Sequence, residues 1–199
     1  MALKRAIFLD KDGTLIENVP FNVERSRIVL APDAVDALRL LAADGYRFIV
    51  VSNQPGVAFG RFPSGALKAV AEHLRDLFAA NDLELDECYW CPHHPDGTVD
   101  EYKFECTCRK PMPGLMQAAA RERDIDLERS WLIGDILDDV EAGNRAGCRT
   151  VLLDVGNETE WQRSPLRIPD VIAANLLDAA ERIREYGRAS RRHARGIAP

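Results

Sequence analysis

Residues 6–14 read Ala6-Ile7-Phe8-Leu9-Asp10-Lys11-Asp12-Gly13-Thr14: four apolar residues, then two carboxylates one residue apart, then a glycine. A short apolar run without polar alternation suits a strand buried on both faces, as in a parallel sheet covered by helices. Open sheets of that kind collect their ligands at the carboxyl ends of the strands, where Asp10 and Asp12 fall. The pattern recurs outward along the chain, with further predicted strands at 46–51, 85–90, 131–133 and 150–153. Between them the spacing predicts helices over 34–43, 64–80, 114–123, 139–146 and 173–184. In 64–80, Leu67, Val70, Ala71, Leu74, Leu77 and Phe78 recur at three- and four-residue steps and form one core-facing stripe. Strands and helices in alternation predict an α/β fold, a parallel sheet with helices on both faces.

The 199 residues fit one domain able to bury its own core. It is expected over 1–187, followed by a basic, disordered tail over 188–199 in which Arg191, Arg192 and Arg195 stand among small residues. A hydrophobic share of 46% with 29% charged residues is that of a soluble globular chain, and no apolar run approaches the roughly 18 residues that span a bilayer. The apolar segment after Lys4-Arg5 is too short for a secretory signal, so the expected location is the cytoplasm. A net charge of −6 argues against a nucleic-acid partner, which needs a broad basic face. Small molecules are the expected partners and a monomer the expected state. Five cysteines, an odd number in a chain expected to lack an export signal, argue against a disulfide framework, and three of them lie between Cys91 and Cys108.

At the end of the first strand, one carboxylate can attack phosphorus while a second, two residues on, protonates a leaving oxygen and later activates water. The second strand ends in Ser52-Asn53-Gln54, a hydroxyl and two amides at the same edge. Later comes Cys108-Arg109-Lys110-Pro111, whose lysine can neutralise charge on a transferring phosphoryl group. The fourth strand runs into Gly134-Asp135-Ile136-Leu137-Asp138-Asp139. With Asp10 these acids offer the incomplete, oxygen-only ligand set that suits Mg2+, or manganese. Each element alone has a bland reading: an acidic turn, a helix cap (the better reading of Asp138), a surface lysine. Four strand-end elements in this order are far more specific.

The segment 92–112 has no clear period and reads as an inserted loop. Cys91-Pro92-His93 and Cys106-Thr107-Cys108 bracket it, with twelve residues between the pairs, enough to fold back into a tetrahedral Zn2+ site. His94 is the alternative to His93, and idle thiols are the alternative to zinc. Cys148 and, less securely, Cys88 read as small core residues. A four-ligand site has no open position, so the zinc would shape the loop and its removal would disorder the substrate pocket.

The order and residue types of these elements, matched over nearly the whole chain to about Leu177, resemble the haloacid dehalogenase (HAD) superfamily of phosphatases. The resemblance implies a Rossmann-like fold and an aspartyl-phosphate intermediate. It implies Asp10 as nucleophile, Asp12 as general acid and base, and Ser52 and Lys110 as phosphate holders. It places magnesium on the Asp10 carboxylate, the Asp12 backbone carbonyl and Asp135, with Asp139 supporting Lys110 or a metal-bound water. It also implies structural zinc on Cys91, His93, Cys106 and Cys108. Only about twenty residues separate Thr14 from the first helix, too few for a large cap domain, so the site is expected to be open.

Within that superfamily, Cys91-Pro92-His93-His94-Pro95, Cys106-Thr107-Cys108-Arg109-Lys110-Pro111, Ser52-Asn53-Gln54-Pro55-Gly56-Val57 and Gly60-Arg61-Phe62 are similar to the branch of D-glycero-D-manno-heptose 1,7-bisphosphate phosphatases and histidinol-phosphate phosphatases. The heptose resemblance implies a phosphorylated sugar as substrate, with Asn53 and Arg109 contacting its distal part. The stretch Asn18-Val19-Pro20-Phe21-Asn22-Val23 departs from the typical heptose enzymes, which keeps histidinol phosphate or another small sugar phosphate as alternatives. A phosphoacceptor signalling domain uses a similar set of strand-end acids, hydroxyl and lysine, but the second acid at Asp12 favours turnover over storage.

Overall fold

The computed structural model describes residues 3–196. Six parallel strands form one sheet: β1 (Ala6–Leu9), β2 (Arg47–Asn53), β3 (Glu87–Cys91), β4 (Trp131–Gly134), β5 (Arg149–Leu153) and β6 (Val171–Ala173), in the order β3-β2-β1-β4-β5-β6. The helices are α1 (Ala34–Ala43), α2 (Ala66–Ala79), α3 (Gly114–Arg123), α4 (Leu137–Ala146) and α5 (Leu176–Gly196).

The pleat of each strand explains how both faces fill. Ile7, Leu9, Phe48, Val50, Ile133 and Val151 point into one layer with the apolar stripes of α1, α2 and α5. The alternate residues Ala6, Phe8, Ile49, Val51 and Leu132 point into the other, against Leu115, Met116 and Ala119 of α3 and Ala142 of α4. Burying each large side chain contributes about 1.5–3 kcal/mol relative to exposure, and β1 is covered along its whole length.

The sheet order places the site. From β1 the chain moves outward through β2 and β3, then crosses back to lay β4 on the other side of β1. Strand order therefore reverses between β1 and β4, and a crevice opens past their carboxyl ends at this switch point. Asp10 and Asp135 follow those two strands. Between Thr14 and α1 the chain carries only a 3-10 turn at Arg25–Arg27, so nothing the size of a domain covers the crevice.

In the first half the boundaries move by up to two residues, β2 running on to Asn53 and β3 and α2 starting at Glu87 and Ala66; the larger differences lie toward the C-terminus. β6 was not predicted: Val171-Ile172-Ala173 is a three-residue edge strand with Ile172 exposed, and the helix expected from 173 starts at Leu176 instead. α5 continues beyond Arg184 to Gly196, so the expected tail from 188 is helical that far; its last three residues lie outside the described residues. α4 begins at Leu137, two residues early, which puts Asp138 and Asp139 inside its first turn. Among the described residues no helix is long and apolar enough to cross a membrane.

Candidate active site

Strand ends bring the predicted residues together. Asp10, Asp12, Ser52, Asn53, Lys110, Asp135 and Asp139 all line one cavity of about 210 Å³ past β1, β2 and β4. Gly13, at φ +83°, makes the turn after Asp12, and a side chain there would strike the Asp135 carboxylate.

Lys110 is the buried centre of the cavity, 2% exposed. Its three ammonium hydrogens find three acceptors: Asp10 Oδ1 at 2.5 Å, Asp139 Oδ1 at 2.5 Å and the Val51 carbonyl at 3.1 Å. Burial alone would lower its pKa, yet the two carboxylates hold the ammonium above its ordinary value. Asp139 is held in turn by the Ile136 N–H, 3.3 Å from its Oδ2. Asn53 fixes the Lys110 backbone, accepting from its N–H at 2.9 Å and donating to its carbonyl at 3.0 Å.

Close approach at Gly134 makes this possible: a Cβ there would lie 2.2 Å from Asp139 Cγ. Gly134→Ala is therefore expected to push Asp139 off Lys110, lowering kcat by roughly 10- to 100-fold at a stability cost of about 1–3 kcal/mol. Steady-state kinetics and a denaturation midpoint check it, and unchanged kcat would show that Asp139 does not support Lys110.

Asp135 accepts from Thr14 Oγ1 at 3.1 Å and from Asn157 Nδ2 at 2.7 Å. Burial, then the charges of Asp10 and Asp139, push its carboxyl up to about 7. Burial also raises Asp12, against the pull of Lys11. One ligand oxygen from each of Asp10, Asp135 and Asp139 lies within 4.8 Å of the others. Three buried carboxylates share a single ammonium, so the donor set fits a hard divalent cation that would offset the remaining charge. All three already accept hydrogen bonds: Asp10 from Lys110, Asp139 from Lys110 and Ile136, and Asp135 from Thr14 and Asn157.

The zinc-type cluster adjoins this centre. Cys91 ends β3 in register with Asn53, and Cys106 and Cys108 return beside it. The Cys91–Cys106, Cys91–Cys108 and Cys106–Cys108 sulfur separations are 3.5, 3.3 and 3.2 Å, and His93 Nδ1 lies 3.7 Å from Cys91 and 3.3 Å from Cys108. A tetrahedral zinc with Zn–S of about 2.3 Å needs ligand atoms about 3.5–3.8 Å apart; three of the five separations fall a few tenths of an ångström short of that, so the four residues need only a small outward shift to take the ion. The hydrogen bond between Cys91 and Cys108 draws the Cys108 thiol down to about 5 and pushes the Cys91 thiol up, so the two share one proton, while the Arg109 N–H donates to Cys106 Sγ at 3.3 Å. His94 points away from the cluster and packs on Phe59. Cys88 and Cys148 are buried in the core, where desolvation pushes each thiol up to about 12.

Arg109 lies in an adjoining cavity of about 360 Å³, shared with His94, Asp138 and Lys110. Its Nη1 is buried with no hydrogen-bond partner among the described residues, a donor that a polar ligand group could satisfy. Asp138 is no simple cap: Arg167 donates to it at 2.6 Å. Sequence reasoning missed Asn157, which follows β5 in a loop and carries no charge signal, and Lys11, which is fully buried beneath Asp12.

The sequence profile of HAD-hydrolase-like proteins matches residues 107–179. The D-glycero-β-D-manno-heptose-1,7-bisphosphate 7-phosphatase of Salmonella typhi is 37% identical over 148 residues, 74% of this chain and 79% of the relative. The protein of the same name from Pasteurella multocida is 37% identical over 155 residues, 77% of this chain and 84% of the relative. Among solved structures, the D,D-heptose 1,7-bisphosphate phosphatase of B. bronchiseptica, complexed with magnesium and phosphate, matches with a TM-score of 0.71 at 28% identity, covering 92% of this chain and 99% of that one.

Proposed function

Because the chain belongs to the family of the heptose-1,7-bisphosphate 7-phosphatases, within the HAD-like hydrolases, we propose that it removes the 7-phosphate of D-glycero-D-manno-heptose 1,7-bisphosphate. The observation that supports this reading is the pairing of two cationic sites, Lys110 with Ser52 in one cavity and, in the next, Arg109, whose buried Nη1 has no hydrogen-bond partner among the described residues.

In the proposed reaction Asp10 attacks phosphorus in line, forming a P–O bond to its carboxylate while the bond to the sugar oxygen breaks. Asp12 gives its proton to that oxygen. Asp12 then takes a proton from water, which attacks the acyl phosphate and releases phosphate and free Asp10. Lys110 and Ser52 hold the phosphoryl oxygens throughout, and positioning dominates the rate. The Asp10 and Asp135 carboxylates and the Asp12 backbone carbonyl would hold the magnesium; the ion, when bound, supplies charge neutralisation at the transferring group. Cys91, His93, Cys106 and Cys108 would hold a structural zinc, which would tie down the loop bearing Arg109 and Lys110. Arg109, with Asn53 behind it, serves the distal part of the substrate. The same reading has the enzyme acting as a monomer in the cytoplasm on a small phosphorylated sugar.

The test is kcat/KM for phosphate release, with and without added magnesium at constant zinc content, from both anomers of the heptose bisphosphate, histidinol phosphate and several hexose phosphates. The expected result is a preference of about a hundredfold or more for a heptose bisphosphate, lost without magnesium, since a site built to pair a polar group rejects ligands that leave that group unsatisfied. A win for histidinol phosphate would overturn the substrate.

A further inference from the structure

Lys11 sits between the two aspartates of the first strand end, and its side chain is 0% exposed. A buried ammonium is retained only where its donors are well used. Here Nζ donates to Asp12 Oδ1 at 2.6 Å and to the Asn22 carbonyl at 3.3 Å. Asn22 is itself buried and locked, its amide donating to the Arg27 carbonyl at 2.8 Å and its Oδ1 accepting from the Glu24 N–H at 3.1 Å. On the other side of the same carboxylate, Gln54 Nε2 donates to Asp12 Oδ2 at 2.9 Å and also reaches Ser52 Oγ at 3.1 Å. Gln54 is 3% exposed.

One donor on each oxygen, from opposite sides, fixes both the position and the plane of the Asp12 carboxyl. Each carboxylate oxygen has a second lone pair, and the Asp12 side chain keeps 25% of its surface open, toward the cavity that also contains Asp10. The backbone beneath is equally constrained, with Gly13 N–H donating to the Ile16 carbonyl at 2.9 Å and Leu15 and Ile16 N–H donating to the Lys11 carbonyl at 3.1 and 3.0 Å.

We propose that Lys11 and Gln54 are positioning residues that aim the Asp12 carboxyl at the leaving oxygen, so that proton delivery to that oxygen depends on both. The proposal deepens the reading above and rests on Asp12 being the general acid. Its consequence concerns the leaving group. An alkoxide leaves only with a proton, whereas a nitrophenolate leaves as the anion, so a misaimed acid slows alkyl phosphates selectively. A residue that merely supported the fold, or that held the phosphoryl group through Ser52, would affect both substrate types alike.

The experiment compares kcat/KM for a sugar phosphate and for p-nitrophenyl phosphate, at saturating magnesium, in the wild-type enzyme and in Lys11→Met, Gln54→Met and Asp12→Asn. The expected result is a loss on the sugar phosphate that exceeds the loss on p-nitrophenyl phosphate by roughly 10- to 100-fold in Lys11→Met and Gln54→Met, and by more in Asp12→Asn. Equal losses on the two substrates in Lys11→Met and Gln54→Met, with Asp12→Asn still selective, would overturn the positioning role alone. No selectivity in Asp12→Asn would overturn the general-acid reading instead. Lys11 is completely buried, so if Lys11→Met fails to fold, Gln54→Met decides the matter by itself.

Discussion

Replacing Asp10 by asparagine is expected to cut phosphate release by about 10⁴- to 10⁶-fold while leaving the fold and the zinc content intact, the scale on which removal of a nucleophile acts. The side chains have the same shape, but an amide oxygen cannot form the acyl phosphate. The stability side of the prediction follows from the charges. Asp10, Asp135 and Asp139 crowd one buried centre with one ammonium between them, and their mutual repulsion helps hold Asp135 up to about 7. Lys110 loses one of its two carboxylates in Asp10→Asn but keeps Asp139 at 2.5 Å. Without magnesium, therefore, the variant should melt at or above the wild-type temperature, and magnesium should stabilise it less than it stabilises the wild type. Phosphate release and melting with and without added magnesium, in chelator-free buffer that leaves the zinc in place, check both halves. Retained turnover would sink the proposed nucleophile; a sharply lowered melting temperature without magnesium would mean that Asp10 holds the fold through Lys110.

Why so much of this centre was legible in the chain has a physical reason. A parallel strand buried on both faces needs an unbroken apolar run, so Ala6–Leu9 and Trp131–Gly134 announce themselves, and the polar residues directly after them must lie at the sheet's carboxyl edge. Asp10, Ser52 and Asp135 were readable because their function depends on that local position. Lys110 was readable only through its neighbours, since nothing in Arg109-Lys110-Pro111 tells a surface lysine from one with three buried acceptors.

What escaped the sequence reading depends on tertiary approach. Lys11 looks like a solvated charge between two acids until the Asn22 carbonyl closes over it. Asn157 reaches Asp135 across 22 positions, from a loop whose composition is ordinary. β6 is too short for any periodicity, and its strand character comes from pairing with β5, where Val171 meets Val151. The extension of α5 past Arg184 follows a run of Arg, Ser, His and Ala whose charge signalled solvent exposure but not backbone conformation.

Stripping the zinc site is the second change of large expected effect, and it should act on catalysis through the backbone. Structural zinc contributes on the order of 10 kcal/mol to small zinc-bound folds, and between β3 and α3 the chain has no strand or α-helix, only a 3-10 turn at Asp100–Tyr102. His93 is packed between Tyr102 and Phe104, so its release frees that side of the loop as well. Lys110 follows Cys108 by two residues and Arg109 by one, while the Asn53 bonds to the Lys110 backbone are worth only about 1 kcal/mol each. Those bonds cannot hold the loop once three thiolates lose a shared cation. Cys108→Ser, or chelation strong enough to remove the ion, should therefore expose 92–112 to proteolysis and lower kcat/KM by about 10³-fold or more on every phosphate ester, because the lysine at the phosphoryl group is displaced along with the distal arginine. The rest of the sheet, with its own core on both faces, should still unfold cooperatively. Zinc content, protease mapping and turnover measured on one preparation distinguish this from Asp10→Asn, which loses turnover and keeps the metal. A zinc-depleted enzyme of full activity, or a loop equally protected with and without the ion, would refute the structural role.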